Sequence, residues 1–332
     1  MRNLIFLGFL ILLTGCVKSN PDLTAPLTTP LTPLVTIPNA PTNLKGVVHS
    51  STQITLSWRD ESINESEFKI ERKIGSGAFV VVGSTSKDII SFNDINLIPN
   101  TIYTYRVFSK NSYGNSNNNS NEINGSTPNS ELMVTIGSQI WSKFNLDVTT
   151  YSDGTPIPQV SNPVEWSKLT TGAWCYYNND TANGVVYGKL YNWYAVAGIH
   201  DNDPATPNKT LAPSGWKMPS NNDWTELTDF LGAREVAGSK MKATGTALWN
   251  ATNIATNISG FTALPGGDRR IDGSFESIGN WTAWWSSTEY GSDYAKGLGI
   301  LNYSPFSFIS ISYKKQALSV RCVFEGISLN NL

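Results

Sequence analysis

Two hydrophobic rhythms divide this chain. Over residues 41–126 apolar and polar positions alternate in short runs. In Gln53-Ile54-Thr55-Leu56-Ser57-Trp58 the apolar residues fall on one side, the period-2 signature of a half-buried strand. Phe68-Lys69-Ile70-Glu71-Arg72, residues 79–82 and Tyr105-Arg106-Val107 repeat it at the spacing of an antiparallel sandwich. After Glu131 the pattern changes, and ten of the eleven tryptophans lie there. Residues 211–231, LAPSGWKMPSNNDWTELTDFL, organise this half. Ser220 reads as a helix N-cap with Asp223 three positions on, a capping box that satisfies two orphan backbone donors. Trp224, Leu227 and Phe230/Leu231 follow at helical spacing, which predicts one buried face. A second short helix is expected over 235–243, another from Trp193 to Ala197, and a hairpin over 132–146 around Gly137-Ser138. The end reads as strands at 283–288, 294–301, 306–313 and 318–324.

Two stretches carry neither rhythm. Residues 17–40 hold a proline every few positions, and each proline fixes φ and removes a donor. They read as a semi-rigid tether of about 3.1 Å per residue. Residues 1–15 combine Arg2 with an apolar run over 4–13, too short to span a bilayer. Leu13-Thr14-Gly15-Cys16 resembles a bacterial lipobox, which implies cleavage before Cys16 and lipidation of its thiol. Val17 is not the aspartate that retains lipoproteins at the inner membrane, so a lipid anchor in the bacterial outer membrane is expected, on the periplasmic or the cell-surface face.

Composition narrows the function. Formal net charge is -2, from 24 basic and 26 acidic residues without long runs, and charged residues are 15% of the chain. No basic stripe exists for phosphate backbones, so a nucleic-acid partner is not expected.

Residues 41–127 resemble a fibronectin type III domain. The landmarks are Ala40-Pro41, Trp58 on the second strand, and Leu97-Ile98-Pro99-Asn100-Thr101-Ile102-Tyr103 leading to Asn111 and Gly114. The resemblance implies an all-β sandwich in which the Tyr103 hydroxyl bonds back to the backbone. With no Arg-Gly-Asp in its loops, a spacer role is expected.

Residues 131–325 resemble the FISUMP family, the Fibrobacter succinogenes major paralogous domain. The match rests on Ile136-Gly137-Ser138-Gln139-Ile140-Trp141, Asn145-Leu146, Tyr187-Gly188-Lys189-Leu190-Tyr191-Asn192-Trp193, Ala212-Pro213-Ser214-Gly215-Trp216, Pro219 with Trp224, Leu264-Pro265-Gly266-Gly267, Trp285-Ser286-Ser287-Thr288-Glu289 and Ser319-Val320-Arg321-Cys322-Val323. It implies an α+β C-type-lectin-like fold, similar to formylglycine-generating domains. Those enzymes hold copper on a pair of C-terminal cysteines. Here Cys322 stands alone in the last stretch and Cys175 lies far upstream, so that catalysis is not carried over.

Candidate chemistry is sparse. Only His49 and His200 exist, which leaves no multi-histidine zinc site and argues against a Ser-His-Asp triad. Cys175 and Cys322 are the mature chain's thiols besides Cys16, and export to an oxidising compartment makes a disulfide between them the expectation, with two separately buried thiols as the alternative. Asp268, Arg269, Arg270, Asp272 and Glu276 put five charges in nine residues, beside Trp281 and Trp284. Strand alternation turns Trp285 inward and Trp284 outward, so this region is the candidate ligand site, with arginine forks for acidic groups and tryptophan faces for a sugar ring. No cofactor is expected; Ca²⁺ on Asp268 and Asp272 is the alternative to a plain Asp-Gly turn. The resulting expectation is a non-enzymatic, membrane-anchored binding protein for a glycan or an envelope or extracellular protein. A carbohydrate-active enzyme using carboxylates of the 268–276 loop and a purely structural envelope protein are the rivals.

Overall fold

Alternating residues become strands where one side of each meets a partner sheet. The structure, a computed structural model, describes residues 36–250 and 253–331. The leader, Cys16 and most of the tether therefore lie outside the described residues. The first strands are β1 (Thr42–Ser50), β2 (Gln53–Arg59), β3 (Glu67–Ile74), β4 (Val80–Ser86), β5 (Ser91–Ile95), β6 (Ile102–Asn111), β7 (Gly114–Asn115) and β8 (Ile123–Ser126). They form two antiparallel layers, β1-β2-β5 and β4-β3-β6-β8. Ile54, Leu56 and Trp58 meet Phe68, Ile70, Tyr105 and Val107 between them, with Trp58 edge-on to Phe68 at 5.4 Å. The Tyr103 hydroxyl accepts the Ile98 N–H at 2.8 Å, the expected corner. Asp94, buried, takes Arg72 at 2.7 Å and the Tyr105 hydroxyl at 2.9 Å.

The second half carries β9 (Met133–Ile136), β10 (Gln139–Ser142), α1 (Pro163–Ser167), β11 (Trp174–Cys175), α2 (Thr181–Tyr187), β12 (Leu190–Asn192), α3 (Trp193–Val196), β13 (Trp216–Lys217), α4 (Asn221–Phe230) and α5 (Arg234–Met241). Then come β14 (Asp268–Arg269), β15 (Phe275–Glu276), β16 (Trp281–Glu289), β17 (Tyr294–Leu301), β18 (Ser307–Tyr313), β19 (Ala317–Leu318) and β20 (Val323–Phe324). These strands make three small sheets, ordered β13-β20-β10-β9, β11-β12-β19-β14-β15 and β16-β17-β18. Helix is confined to short segments, and no described helix is long and apolar enough to cross a membrane.

Helix α4 starts at the expected capping box: Ser220 Oγ accepts from Asp223 N at 3.2 Å and Asp223 Oδ2 accepts from Ser220 N at 2.7 Å. Trp224, Leu227 and Leu231 are buried, but Phe230 is exposed. At 3.6 residues per turn Phe230 sits about 240° around from Trp224, off the buried stripe that Leu231 shares. The β16 alternation holds, yet Trp284 is as buried as Trp285, against expectation. The β16-β17-β18 sheet is covered on both faces. Trp285 enters the cluster of Tyr191, Trp193 and Leu318, while Trp284 enters that of Trp224, Trp249 and Phe261.

Beyond Phe324 the chain returns to the sandwich. Strand β21 (Ile327–Asn331) inserts between β8 and β1, antiparallel to both, and links the two layers at one edge. Gly46 pairs with Leu329 and Val48 with Ile327. Leu329 joins the sandwich core. Two glycines leave it room: a Cβ at Gly46 would lie 2.8 Å from a Leu329 methyl, and one at Gly125 only 2.0 Å. Residues Ile37–Leu332 accordingly form one compact unit.

Candidate functional site

The charged hairpin forms as read, but its side chains diverge. β14 and β15 pair Asp268 with Glu276 and Arg269 with Phe275. At the turn Asp272 Oδ1 accepts from Ser274 N at 2.9 Å and from Ser274 Oγ at 2.7 Å. Arg269 is fully buried, which removes it as a ligand contact. Its guanidinium donates to the backbone carbonyls of Gly273, Val160 and Ser161 and lies against Trp166 at 4.3 Å and Phe275 at 4.9 Å. It pins the hairpin to the segment before α1. Trp284 is removed in the same way: its ring packs on Phe261 and its Nε1 donates to Asn145 Oδ1 at 2.8 Å. Trp281 is half-buried against the first core cluster. Arg270, Asp272 and Glu276 remain at the surface, and Arg270 is engaged by Glu276 at 2.6 Å.

Asp268 lies beneath this pair. Its Oδ2 accepts from Gln316 Nε2 at 3.0 Å, Oδ1 has no partner, and burial pushes its carboxyl up to about 6. That proton affinity would suit acid–base chemistry, but the carboxyl is closed off from solvent and cannot meet a substrate. Asp268 and Asp272 do not belong to a metal-type cluster among the described residues. The expected disulfide is not formed. Cys175 and Cys322 are free thiols in different core clusters, and burial pushes each up to about 12. His200 stands beside Asp201 at 3.2 Å in a surface loop.

A different surface has a built floor. Arg321 is fully buried, and no carboxylate pairs with it among the described residues. Instead it donates to Asn145 Oδ1 at 3.0 Å and to the carbonyls of Ser142 and Phe261 at 2.9 Å, with its guanidinium 4.3 Å from the Phe261 ring. Desolvation lowers its pKa to about 9. Asn145 is a junction: its Oδ1 takes Arg321 and Trp284, and its Nδ2 donates to the Tyr187 carbonyl at 2.8 Å and to Ser319 Oγ at 3.3 Å. Lys189, also buried, donates to Asp147 Oδ1 at 2.5 Å and faces Trp174 at 4.7 Å.

Over this floor open two depressions that share Phe144, Asn145 and Asp147. One, about 230 Å³, is lined by Lys143, Val185, Val186, Tyr187 and Leu264; the other, about 210 Å³, by Leu132, Pro213 and Trp216. Phe144 is 58% exposed and Val185 89%. An apolar rim thus stands on a floor that hydrogen bonds lock in place, with the exposed Asp147 carboxylate between the two hollows. In the sequence Asn145 and Arg321 stand in separate motifs 176 residues apart, and nothing there joins them to one surface. The available signal was Val185-Val186, two adjacent apolar residues that cannot share one face of so short a helix.

A model of the Fibrobacter succinogenes major domain matches residues 134–323. The chain belongs to the Fibrobacter succinogenes major domain family. Asn145, Arg321 and the residues lining both hollows, Leu132 excepted, fall within the matched range. No curated protein matches the chain. Solved structures match the sandwich, which is similar to fibronectin type III domains. Domains A168–A170 of titin share 23% identity at a TM-score of 0.24, covering 26% of this chain and 30% of that one. Chicken CNTN1 FN1–FN3 shares 28% at 0.26, covering 27% and 31%. The sixth fibronectin type III domain of human fibronectin type III domain containing protein 3 shares 20% at 0.26, covering 29% and 91%. The chain spans under a third of the first two of these structures.

Proposed function

We propose that this protein is a lipid-anchored envelope lipoprotein that displays a non-catalytic binding head, and that the head engages a glycan or an envelope or extracellular protein through the two hollows beside Phe144. The sandwich acts as spacer and the proline-rich segment as tether. The head is read as an α+β, C-type-lectin-like domain. One observation carries the reading: an exposed aromatic and apolar rim stands over the hydrogen-bonded Asn145–Arg321 pair, with Asp147, held by Lys189, between its hollows. Such a floor costs a ligand little ordering, and an aromatic rim with a nearby carboxylate suits sugar rings or a peptide side chain. The enzyme reading is weaker, because Asp268, whose carboxyl burial pushes up to about 6, is enclosed.

The test uses the exported full chain on a panel of glycans, polysaccharides and envelope extracts. Saturable binding that Phe144→Ala abolishes and Arg270→Ala spares is the expected result. Binding lost in Arg270→Ala but kept in Phe144→Ala returns the site to the hairpin, and product formation replaces the binding reading with catalysis. For the anchor, Cys16→Ser should release the chain from the membrane fraction; a serine variant that still fractionates with outer membrane in lipid-modified form refutes it.

A further inference from the structure

Far from the hollows in sequence, two loops of the sandwich bring three carboxylates together. Asp60 follows β2, Glu65 precedes β3 and Asp88 lies in the turn between β4 and β5. One oxygen from each lies within 4.8 Å of the other two. Like charges at that spacing repel, and no cationic side chain among the described residues pairs with them. None of the three forms an ion pair among the described residues, and Lys87, next in sequence to Asp88, donates instead to the Ile63 carbonyl at 3.4 Å.

Glu65 decides the matter. It is only 3% exposed, and both of its carboxylate oxygens are buried without a hydrogen-bond partner. Buried charges in proteins are paired, hydrogen-bonded or coordinated to metal. The surroundings hold the group firmly: Asp60 Oδ1 accepts from Ser62 N at 2.8 Å, Lys87 N donates to Ser66 O at 3.0 Å, and Ser66 N donates to Lys110 O at 2.7 Å. A carboxylate fixed in that state, with no cation beside it among the described residues, is suited to a bound metal ion.

We propose that Asp60, Glu65 and Asp88 form a Ca²⁺ site that clasps the β2–β3 loop to the β4–β5 turn. The donor set is all oxygen, with no histidine or cysteine, which selects a hard cation. Three carboxylates on two irregular loops suit the variable six to eight oxygen ligands of Ca²⁺ better than the strict octahedron of Mg²⁺, which keeps most of its waters. The ion would restore to Glu65 the partner it lacks and cancel the repulsion among the three groups.

The experiment strips the full chain with a chelator and titrates it with CaCl₂, following heat and the melting transition. One Ca²⁺ per chain and a midpoint raised by about 5 °C at saturation are expected. Glu65→Gln should bind Ca²⁺ at least tenfold more weakly, yet melt above wild type in chelator, because its buried charge is gone. That crossover separates a metal ligand from a merely structural residue. Asp88→Asn, at an exposed position, should also lose affinity and carries the test if the glutamine variant fails to fold. Absence of Ca²⁺ uptake and of any midpoint shift in wild type at millimolar Ca²⁺, or wild-type affinity in folded Glu65→Gln or Asp88→Asn, overturns the assignment.

Discussion

Leu329→Ala tests whether β21 is an integral strand of the sandwich. Leu329 lies opposite Gly46, is 7% exposed and sits in the cluster of Leu44, Ile54, Trp58 and Ile123. Removing a buried leucine to alanine costs about 2–5 kcal/mol, and the upper half applies where the surroundings cannot collapse. Here the walls are the backbones of β1 and β8 at Gly46 and Gly125, which have no side chains with which to fill the gap. We expect about 3–4 kcal/mol in urea denaturation. Hydrogen exchange adds location: if β21 detaches alone, amides of β1 and β8 should exchange about 100-fold faster while α4 keeps its protection. Gly125→Ala supplies the converse, since its Cβ would enter Leu329 Cδ2 at 2.0 Å. Overpacking of that kind costs about 1–3 kcal/mol. The double variant Gly125→Ala/Leu329→Ala should be less destabilised than the two single changes added together, because the alanine methyl then occupies vacated space. An unchanged midpoint and unchanged exchange over residues 42–50 and 123–126 in Leu329→Ala would refute the insertion. Strict additivity in the double variant would refute the glycine slot.

Further outcomes follow from the buried polar groups. Asp268 has its folded pKa raised from 3.8 to about 6, so its folded form holds a proton that the unfolded chain has lost. Its stabilisation is complete below pH 3.8 and lost as pH rises through about 6, a loss of ~3 kcal/mol by pH 7; Asp268→Asn should remove that slope and be more stable than wild type at pH 7, and an unaltered pH profile of unfolding would sink the point. Cys175 and Cys322 should both react with iodoacetamide after unfolding without reductant and resist it when folded; an intact mass showing neither alkylated in the unfolded chain would mean a disulfide after all. Arg321→Met should cost about 3 kcal/mol by leaving the Ser142 and Phe261 carbonyls unpaired, so a melting curve equal to wild type would contradict the network drawn around Asn145.

The elements legible in the sequence are those whose signal is local. Ser220 and Asp223 cap α4 three positions apart, and Trp224 with Leu227 gives its inward face. Ile54, Leu56 and Trp58 alternate within six residues, and Tyr103 closes a corner on Ile98. Trp284 shows where locality ends. Alternation separates it correctly from Trp285, but whether the outer face of β16 is wet depends on α4, whose approach no pattern within β16 records. Strand β21 is illegible for the same reason. Ile327-Ser328-Leu329 is too short to announce itself, and Gly46 and Gly125 become a slot only when Leu329 is between them.

The burial of Arg269 is hidden in the sequence for a further physical reason. In a charge-poor chain a cluster of charges looks like a surface, and Arg269 beside Arg270 looks like a pair of ligand forks. Strand geometry sends adjacent residues to opposite faces, so one of the two enters the space between Trp166 and Phe275 while the other stays in water with Glu276. Arg269 tolerates that burial because backbone carbonyls of Gly273, Val160 and Ser161 receive its hydrogen bonds. Arg321 and Lys242 are held in the same manner, Lys242 by the carbonyls of Leu301, Asn302 and Ser304. A carboxylate partner leaves a letter in the sequence; a carbonyl partner leaves none, since every residue has one. Long irregular segments have carbonyls that no sheet or helix has claimed, and a buried guanidinium or ammonium can gather several of them at once. The domain therefore uses part of its few charges to fasten loops, while Phe144, Val185 and Asp147, residues that carry no such charge cluster, stay exposed.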